Sequence, residues 1–254
     1  MGDIFHTYLS QPLFNLLVYL YNVIPGSDIG FAIIVLTILI KAVLWPFMHQ
    51  SLKSQKAMQV IQPKIEELKK KHADNKEALA KDLMELYQEE KVNPLSSCLP
   101  LLIQLPVLIA LYRVLLTGFD PETLNQLYSF VANPGSINSL FLGFIDLSKS
   151  NIYLALVAGF FQFLQTRMLI SRKPPKQVQG KKGAADENMM ATMNKSMMYF
   201  MPIITVVIGA TLPGGLTLYW VAVNIVSIIQ QKIAFSDVEK EKTSKEEEDR
   251  KSVV

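Results

Sequence analysis

The amino-acid sequence predicts an all-α, polytopic membrane protein with five transmembrane helices, a cytosolic helical hairpin and an N-terminal interfacial helix. Three observations predict this class. The 254 residues are 50% hydrophobic and mean hydropathy is +0.25, high for a soluble chain of this size. Apolar residues gather in runs of about twenty, the length a helix needs to cross a hydrocarbon core of roughly 30 Å. The charges collect between those runs, with lysine and arginine concentrated in alternate connections.

The same composition argues against an enzyme. Cys98 is the single cysteine, which leaves no disulfide and no thiolate metal cluster. His6, His49 and His72 stand in no metal-ligand spacing, and there is no G-x-S-x-G motif, Walker loop or pair of intramembrane carboxylates. Neither a cofactor nor a metal is expected.

Residues 1–28 form the N-terminal extracytoplasmic segment. Residues 3–24 are apolar but interrupted by Pro12, Asn15 and Asn22, and the unbroken apolar part is only Leu16 to Tyr21. No basic region or small-residue cleavage site accompanies it, so no removable signal peptide is expected. An amphipathic helix in the interface is the favoured reading, with a sixth span as the alternative.

Residues 29–235 form the core. PGSD at 25–28 is turn chemistry that starts the first span, Gly30 to Phe47, and Pro46 ends it because its missing N–H leaves the Ala42 carbonyl without a helical partner. Trp45 is placed to anchor that end at the interface. Lys41 is the one charge in this span, roughly 15–18 Å from its start. An ammonium near the bilayer centre costs about 2.5–3.5 kcal/mol on insertion scales, so it normally faces protein or water. A lysine whose stem merely carries its charge back to the headgroups is the plainer reading.

The stretch 50–92 is the hairpin. Between His49 and Lys91 nine lysines face eight acids, and Leu52, Met58, Ile61, Ile65 and Leu68 then Leu79, Leu83 and Leu86 make two narrow apolar stripes around a turn at 72–75. Its lysines read as a solvated face or as contacts for anionic lipid heads or ribosomal RNA.

The remaining spans run over Leu95–Leu116, Ile152–Ile170, Met193–Leu212 and Leu216–Phe235. In the second, Arg113 can reach toward the far side. A basic loop, 171–188, follows the third span, and the mixed-charge tail 236–254 reads as disordered. Basic residues crowd after spans one, three and five, which puts the N-terminus outside and the C-terminus in the cytosol.

Polar residues recur in stripes within the spans. Ser97 and Gln104 lie two turns apart in the second, while Gln162, Gln165 and Thr166 share a face of the third. Thr217, Trp220, Asn224, Ser227 and Gln231 follow steps of three or four in the fifth. Each bond from such a residue could be glue between helices, worth well under about 2 kcal/mol. Taken with Lys41, the stripes instead favour a shared hydrophilic cavity lined by Lys41, Gln104, Gln162, Thr166, Asn224 and Ser227. Met190, Met193, Met197 and Met201 form a helical stripe that reads as core filling or as an adaptable apolar contact for a substrate.

Three stretches carry a family resemblance: IIVLTILIKAVLWPF with QSLKSQKAMQVIQPKIEELKKK; NPLSSCLPLLIQLPVLIALYRVL; and MMYFMPIITVVIGATLPGGLTLYWVAVNIVSIIQQ. In order and spacing the chain resembles the YidC/Oxa/Alb membrane-protein insertases over roughly residues 5–235. The resemblance implies five spans and a groove open to the cytosol and to lipid but closed to the outside. It implies insertion and assisted folding of nascent membrane proteins, with or without the Sec translocon, in the bacterial plasma membrane. The implied partners are nascent membrane proteins, the lipid bilayer, the ribosome and the Sec translocon, and no DNA. The large extracytoplasmic domain of some bacterial members is not expected. The family's usual intramembrane cation is arginine, and Lys41 stands at that place, keeping the charge but losing the planar fork of donors. The rival reading is a small secondary transporter using Lys41 as a coupling charge, which should show inverted repeats and broken helices.

Overall fold

Apolar runs with no water to bond fold as helices, because each backbone N–H and C=O must then be satisfied within its own segment. The computed structural model describes residues 2–72, 75–93, 99–118, 120–169 and 198–252, and these are predominantly helical. In order they form α1 (Gly2–Phe5), a π-helical turn (His6–Ser10), α2 (Gln11–Val23), α3 (Ile29–Val43), α4 (Trp45–Lys71) and α5 (Lys76–Glu89). Then follow α6 (Leu99–Thr117), α7 (Ile152–Leu169), α8 (Met198–Gly209) and α9 (Gly214–Ser252). Between α6 and α7 lie a 3-10 turn, Pro121–Gln126, and a small antiparallel hairpin in which β1 (Leu140–Phe141) pairs with β2 (Ile145–Asp146).

The described residues fall into two compact units. The first is drawn from Met1–Trp45, Leu101–Phe163 and Met201–Val226. Its core packs Phe14, Leu17 and Val18 of α2 with Ile33 and Leu36 of α3, Leu111 and Val114 of α6, and Leu216 and Tyr219 of α9. The buried positions of α2 recur at three and four residues, one helical face. Pro12 explains the π-turn before it: without the proline N–H the ladder shifts, and the Gln11 N–H donates to the His6 carbonyl five residues back.

At the end where α3 begins, polar side chains tie the connections down. Asp28 caps α3 by accepting from the N–H groups of Gly30 (2.7 Å) and Phe31 (3.3 Å), and its other oxygen accepts from the Leu142 N–H at 2.8 Å. Asn15 accepts from the Tyr128 N–H at 2.6 Å, and Asn22 donates to the Ala132 carbonyl at 2.7 Å. These bonds lash α2 to the 121–138 connection. Asp146 accepts from the Ser148 hydroxyl at 2.6 Å; that bond first, then one from Ser139, holds its carboxyl well below the usual carboxylate range. Arg113 places its guanidinium 5.2 Å from the centre of the Phe5 ring, where the charge meets the aromatic face.

The second unit comprises Pro46–Pro100, Leu164–Phe200 and Ser227–Val254. Here α4 and α5 pack along an apolar seam of Ile61, Ile65, Leu86 and Val92, flanked by Met58, Leu68 and Leu83. Asn75 caps α5 through the Ala78 N–H at 3.0 Å, and His72 lies 2.7 Å from Asp82 across the pair. Lys56 stands 5.0 Å over the Phe235 ring, and His49 lies 3.6 Å from Asp237.

Several expected boundaries shift. The first span does not run to Phe47: α3 stops at Val43, Leu44 closes it by donating to the Ile40 and Ala42 carbonyls, and α4 starts at Trp45. Pro46 is the cause, since a proline that cannot continue one helix suits the first turn of the next. The tail expected to be disordered from 236 is instead helical in continuation of α9 as far as Ser252. Its lysines and glutamates are strong helix formers. Among the described residues, Gly214–Asp237 is long and apolar enough to cross a membrane alone, and Ile29–Val43 with Trp45–Lys71 qualifies as a broken pair. Leu102–Thr117 and Met198–Gly209 are shorter apolar helices. Cys98, Met190, Met193, Met197 and the 171–188 loop lie outside the described residues.

Gly30 shows how tightly the capped end is packed. A Cβ there would sit 2.0 Å from Phe141 Cδ2 and 2.4 Å from its Cγ. Gly30→Ala is therefore expected to destabilise the protein by about 1–3 kcal/mol through overpacking. The check is the thermal unfolding midpoint of the purified protein in detergent; an unchanged midpoint would mean that the β-hairpin lifts away at no cost.

Candidate functional site

The first unit is apolar over much of its exposed surface, and several polar side chains are buried within its largely apolar core. Its exposed side chains include Leu105, Ile109 and Leu116 of α6, Leu156 and Phe160 of α7, and Ile203 and Val207 of α8. Its buried polar residues are Ser10, Asn15, Thr37, Lys41, Thr205, Thr217 and Asn224. Water-soluble folds distribute these classes the other way round. The arrangement suits a hydrocarbon solvent.

α3 supplies two of these groups. Lys41 is 4% exposed and lies in the last turn of the helix; Thr37, one turn earlier, is 1% exposed and returns its hydroxyl to the Ile33 carbonyl at 2.7 Å. α6 supplies Gln104, whose amide donates to the Tyr219 hydroxyl of α9. Asn224, on α9, donates to the Ala158 carbonyl of α7 at 3.3 Å. The α7 surface here is built of small residues: Ala155 and Ala158 are fully buried, and a Cβ added to Gly209 of α8 would come within 3.3 Å of Ala155. Thr217 donates to the Gly209 carbonyl at 3.0 Å.

The residues singled out in the sequence separate accordingly. Gln104 and Asn224 make bonds between helices, and Lys41 and Gln162 belong to the same unit as they do. Thr166 and Ser227 belong to the second unit and are buried there, Thr166 one turn after Gln162 on α7 and Ser227 one turn after Asn224 on α9. Met201 is exposed in the first unit. Thr37 and Tyr219 escaped the sequence reading. Thr37 had a signal, its place four residues before Lys41. Tyr219 lies off the stripe of Thr217 and Asn224, and nothing in the spacing marks it.

Helices with an apolar exterior that bury amides, hydroxyls and, among the described residues, Lys41 fit an integral membrane protein. Comparison with known proteins gives this class its family. Residues 19–242 match the 60Kd inner membrane protein family. The chain is 35% identical over 227 residues to the membrane protein insertase YidC of Fusobacterium nucleatum, covering 89% of this chain and 96% of that protein. It is 35% identical over 225 residues to the YidC insertase of Pelobacter propionicus and 34% identical over 236 residues to that of Actinobacillus succinogenes, in each case over 38% of the relative's length. The chain belongs to this family of bacterial membrane-protein insertases, which is not a family of enzymes.

The bond between Gln104 and Tyr219 can be tested by a double-mutant cycle. Tyr219→Phe removes only the acceptor hydroxyl and is expected to cost about 0.5–1.5 kcal/mol, as is Gln104→Leu. The double mutant should lose less than the sum, because the second change then removes nothing further. Midpoints of thermal unfolding supply the numbers; strictly additive losses would show that the two side chains do not work together.

Proposed function

We propose that the polar side chains buried in the first unit line a substrate groove in which this insertase lowers the barrier for moving a polar segment into and across the bilayer. The observation that carries this reading is the burial of Lys41 with Thr37 on one helix of a unit whose outer face is apolar. Moving a polypeptide through hydrocarbon costs several kcal/mol for each unsatisfied backbone group. Gln104 and Asn224 carry amides that can exchange their interhelical partners for the backbone of an incoming chain, and the amide of Gln162 can join them. An amide pair of this kind is worth about 1 kcal/mol, weak enough to open. Lys41 attracts acidic residues of the incoming extracytoplasmic segment. The substrate's apolar part then leaves sideways into lipid, where burial of its surface drives release.

The topology that fits has five spans, the N-terminus outside and the C-terminus in the cytosol, with α4 and α5 as a cytosolic hairpin that receives the nascent chain. The ribosome and the Sec translocon are the partners that the basic cytosolic segments suit. The chemistry requires no nucleotide.

The decisive experiment is insertion of a short single-span protein with an acidic tail into liposomes containing only this chain. Lys41→Arg should retain activity because the charge persists. Lys41→Ala should fold yet lose insertion, most severely for the most acidic tails, and Lys41→Glu should be worse for those through like-charge repulsion. Yield is measured over a series of tails of increasing negative charge. An Ala variant that loses activity equally across the series would replace electrostatic attraction by hydration as the role of Lys41; one that loses none would leave it a lysine anchored at the interface.

The hairpin should act through shape more than charge, since its lysines and acids nearly balance. Deleting residues 54–90 should abolish insertion, while Lys69, Lys70 and Lys71 changed together to Gln should lower it modestly. A triple variant as inactive as the deletion would point to a specific anionic partner.

A further inference from the structure

From Leu127 to Ile145 the chain carries no aspartate, glutamate, lysine or arginine, although this connection lies outside the apolar helices. Its β-hairpin turns through Leu142, Gly143 and Phe144. Such a turn is normally made by Asn, Asp or Gly, which tolerate a left-handed backbone and face water. Here Leu142 itself takes φ +54° next to Gly143 at +81°, and its side chain is 50% exposed, with Phe144 75% exposed. A large apolar residue held in a disfavoured conformation, beside an exposed phenylalanine, is costly on both counts if the tip sits in water.

The tip is fixed at a definite height. Asp28, the cap of α3, accepts from the Leu142 N–H, and the Phe141 ring meets Phe31 edge-on with centroids 5.5 Å apart. Leu142 therefore stands beside the first turn of α3, where Phe31 opens an exposed apolar face that Ile38 continues two turns on. We propose that Leu142 and Phe144 form a lipid anchor, seated at the headgroup–acyl boundary of the leaflet into which α3 first enters. The occupant is phospholipid, because the tip is continuous with the lipid-facing surface and bears no charge for a polar partner to read. The anchor goes beyond insertion and rests only on the protein's being embedded in a bilayer.

The test uses the full chain in vesicles of phosphatidylethanolamine and phosphatidylglycerol, with Cys98→Ser and one new cysteine carrying the fluorophore NBD. Position 144 is compared with Ser136, an exposed residue of the same connection, and with Phe160 on the exposed face of α7. Phe144→Cys should be quenched by phospholipid bearing a shallow doxyl group, as Phe160→Cys is by a deeper one. Iodide in the buffer should quench it about threefold less than Ser136→Cys, as expected of an interfacial site. Iodide quenching at 144 equal to that at 136, with 160 still lipid-quenched, overturns the anchor. So does shielding of 144 from both iodide and lipid, which would assign the tip to a protein partner or a second copy. Absence of lipid quenching at 160 would instead remove the bilayer-embedded reading, and the anchor with it.

Discussion

In hydrocarbon a polar group has no solvent to fall back on, and the organisation of the first unit follows from that constraint. Its threonines and its amides meet it in different ways. Thr37 and Thr205 return their hydroxyls to carbonyls four residues earlier, and so are satisfied within their own helices. Gln104 and Asn224 reach across to neighbouring helices. Self-satisfied hydroxyls can line an interior at little cost whether or not anything occupies it. Amides that reach across hold helices together and can also change partners. A unit built from both keeps its helices joined while these polar groups stay paired.

The same constraint acts at the end where α3 and α9 begin, for the first N–H groups of a helix have no partner within it. Asp28 supplies two for α3. For α9 the chain uses the connection itself: Gly214 donates to the Lys149 carbonyl at 2.8 Å and Gly215 to that of Leu147 at 2.9 Å. Side chains would obstruct this, since a Cβ on Gly214 would come within 3.0 Å of the Lys149 carbonyl oxygen. Two helix starts, α2 and the β-hairpin are thus joined at one end by bonds to a few polar atoms.

Much of this was legible in the sequence. Ile61, Ile65 and Leu86 announce the seam of α4 and α5 by their spacing, and the runs at 152–170 and 216–235 announce α7 and the apolar part of α9. Insertase membership was legible because several motifs coincide in order, which one helix period cannot provide. Less visible were features set by contacts distant in sequence. The Gln104–Tyr219 bond joins residues 115 apart, and Asn15 meets Tyr128 across 113. The helix running on to Ser252 has no signal in hydropathy, because a charged sequence that cannot build a core can still satisfy its backbone by extending a helix already begun.

The break at Leu44 changes how the buried cation should be understood. Read as one span to Phe47, the sequence puts Lys41 in the interior of a helix, where every carbonyl around it is already bonded. Because α3 ends at Val43, Lys41 lies instead in the last turn, at the negative end of the helix dipole. That placement favours a cation by about 0.3–1 kcal/mol. The cost of burying the charge in a bilayer is about 2.5–3.5 kcal/mol, so the helix end offsets only part of it. The rest has to come from polar neighbours or water in the interior of the unit. Pro46 and Lys41 are therefore linked: the proline ends the helix so that the lysine falls in its last turn, where the helix dipole favours a cation.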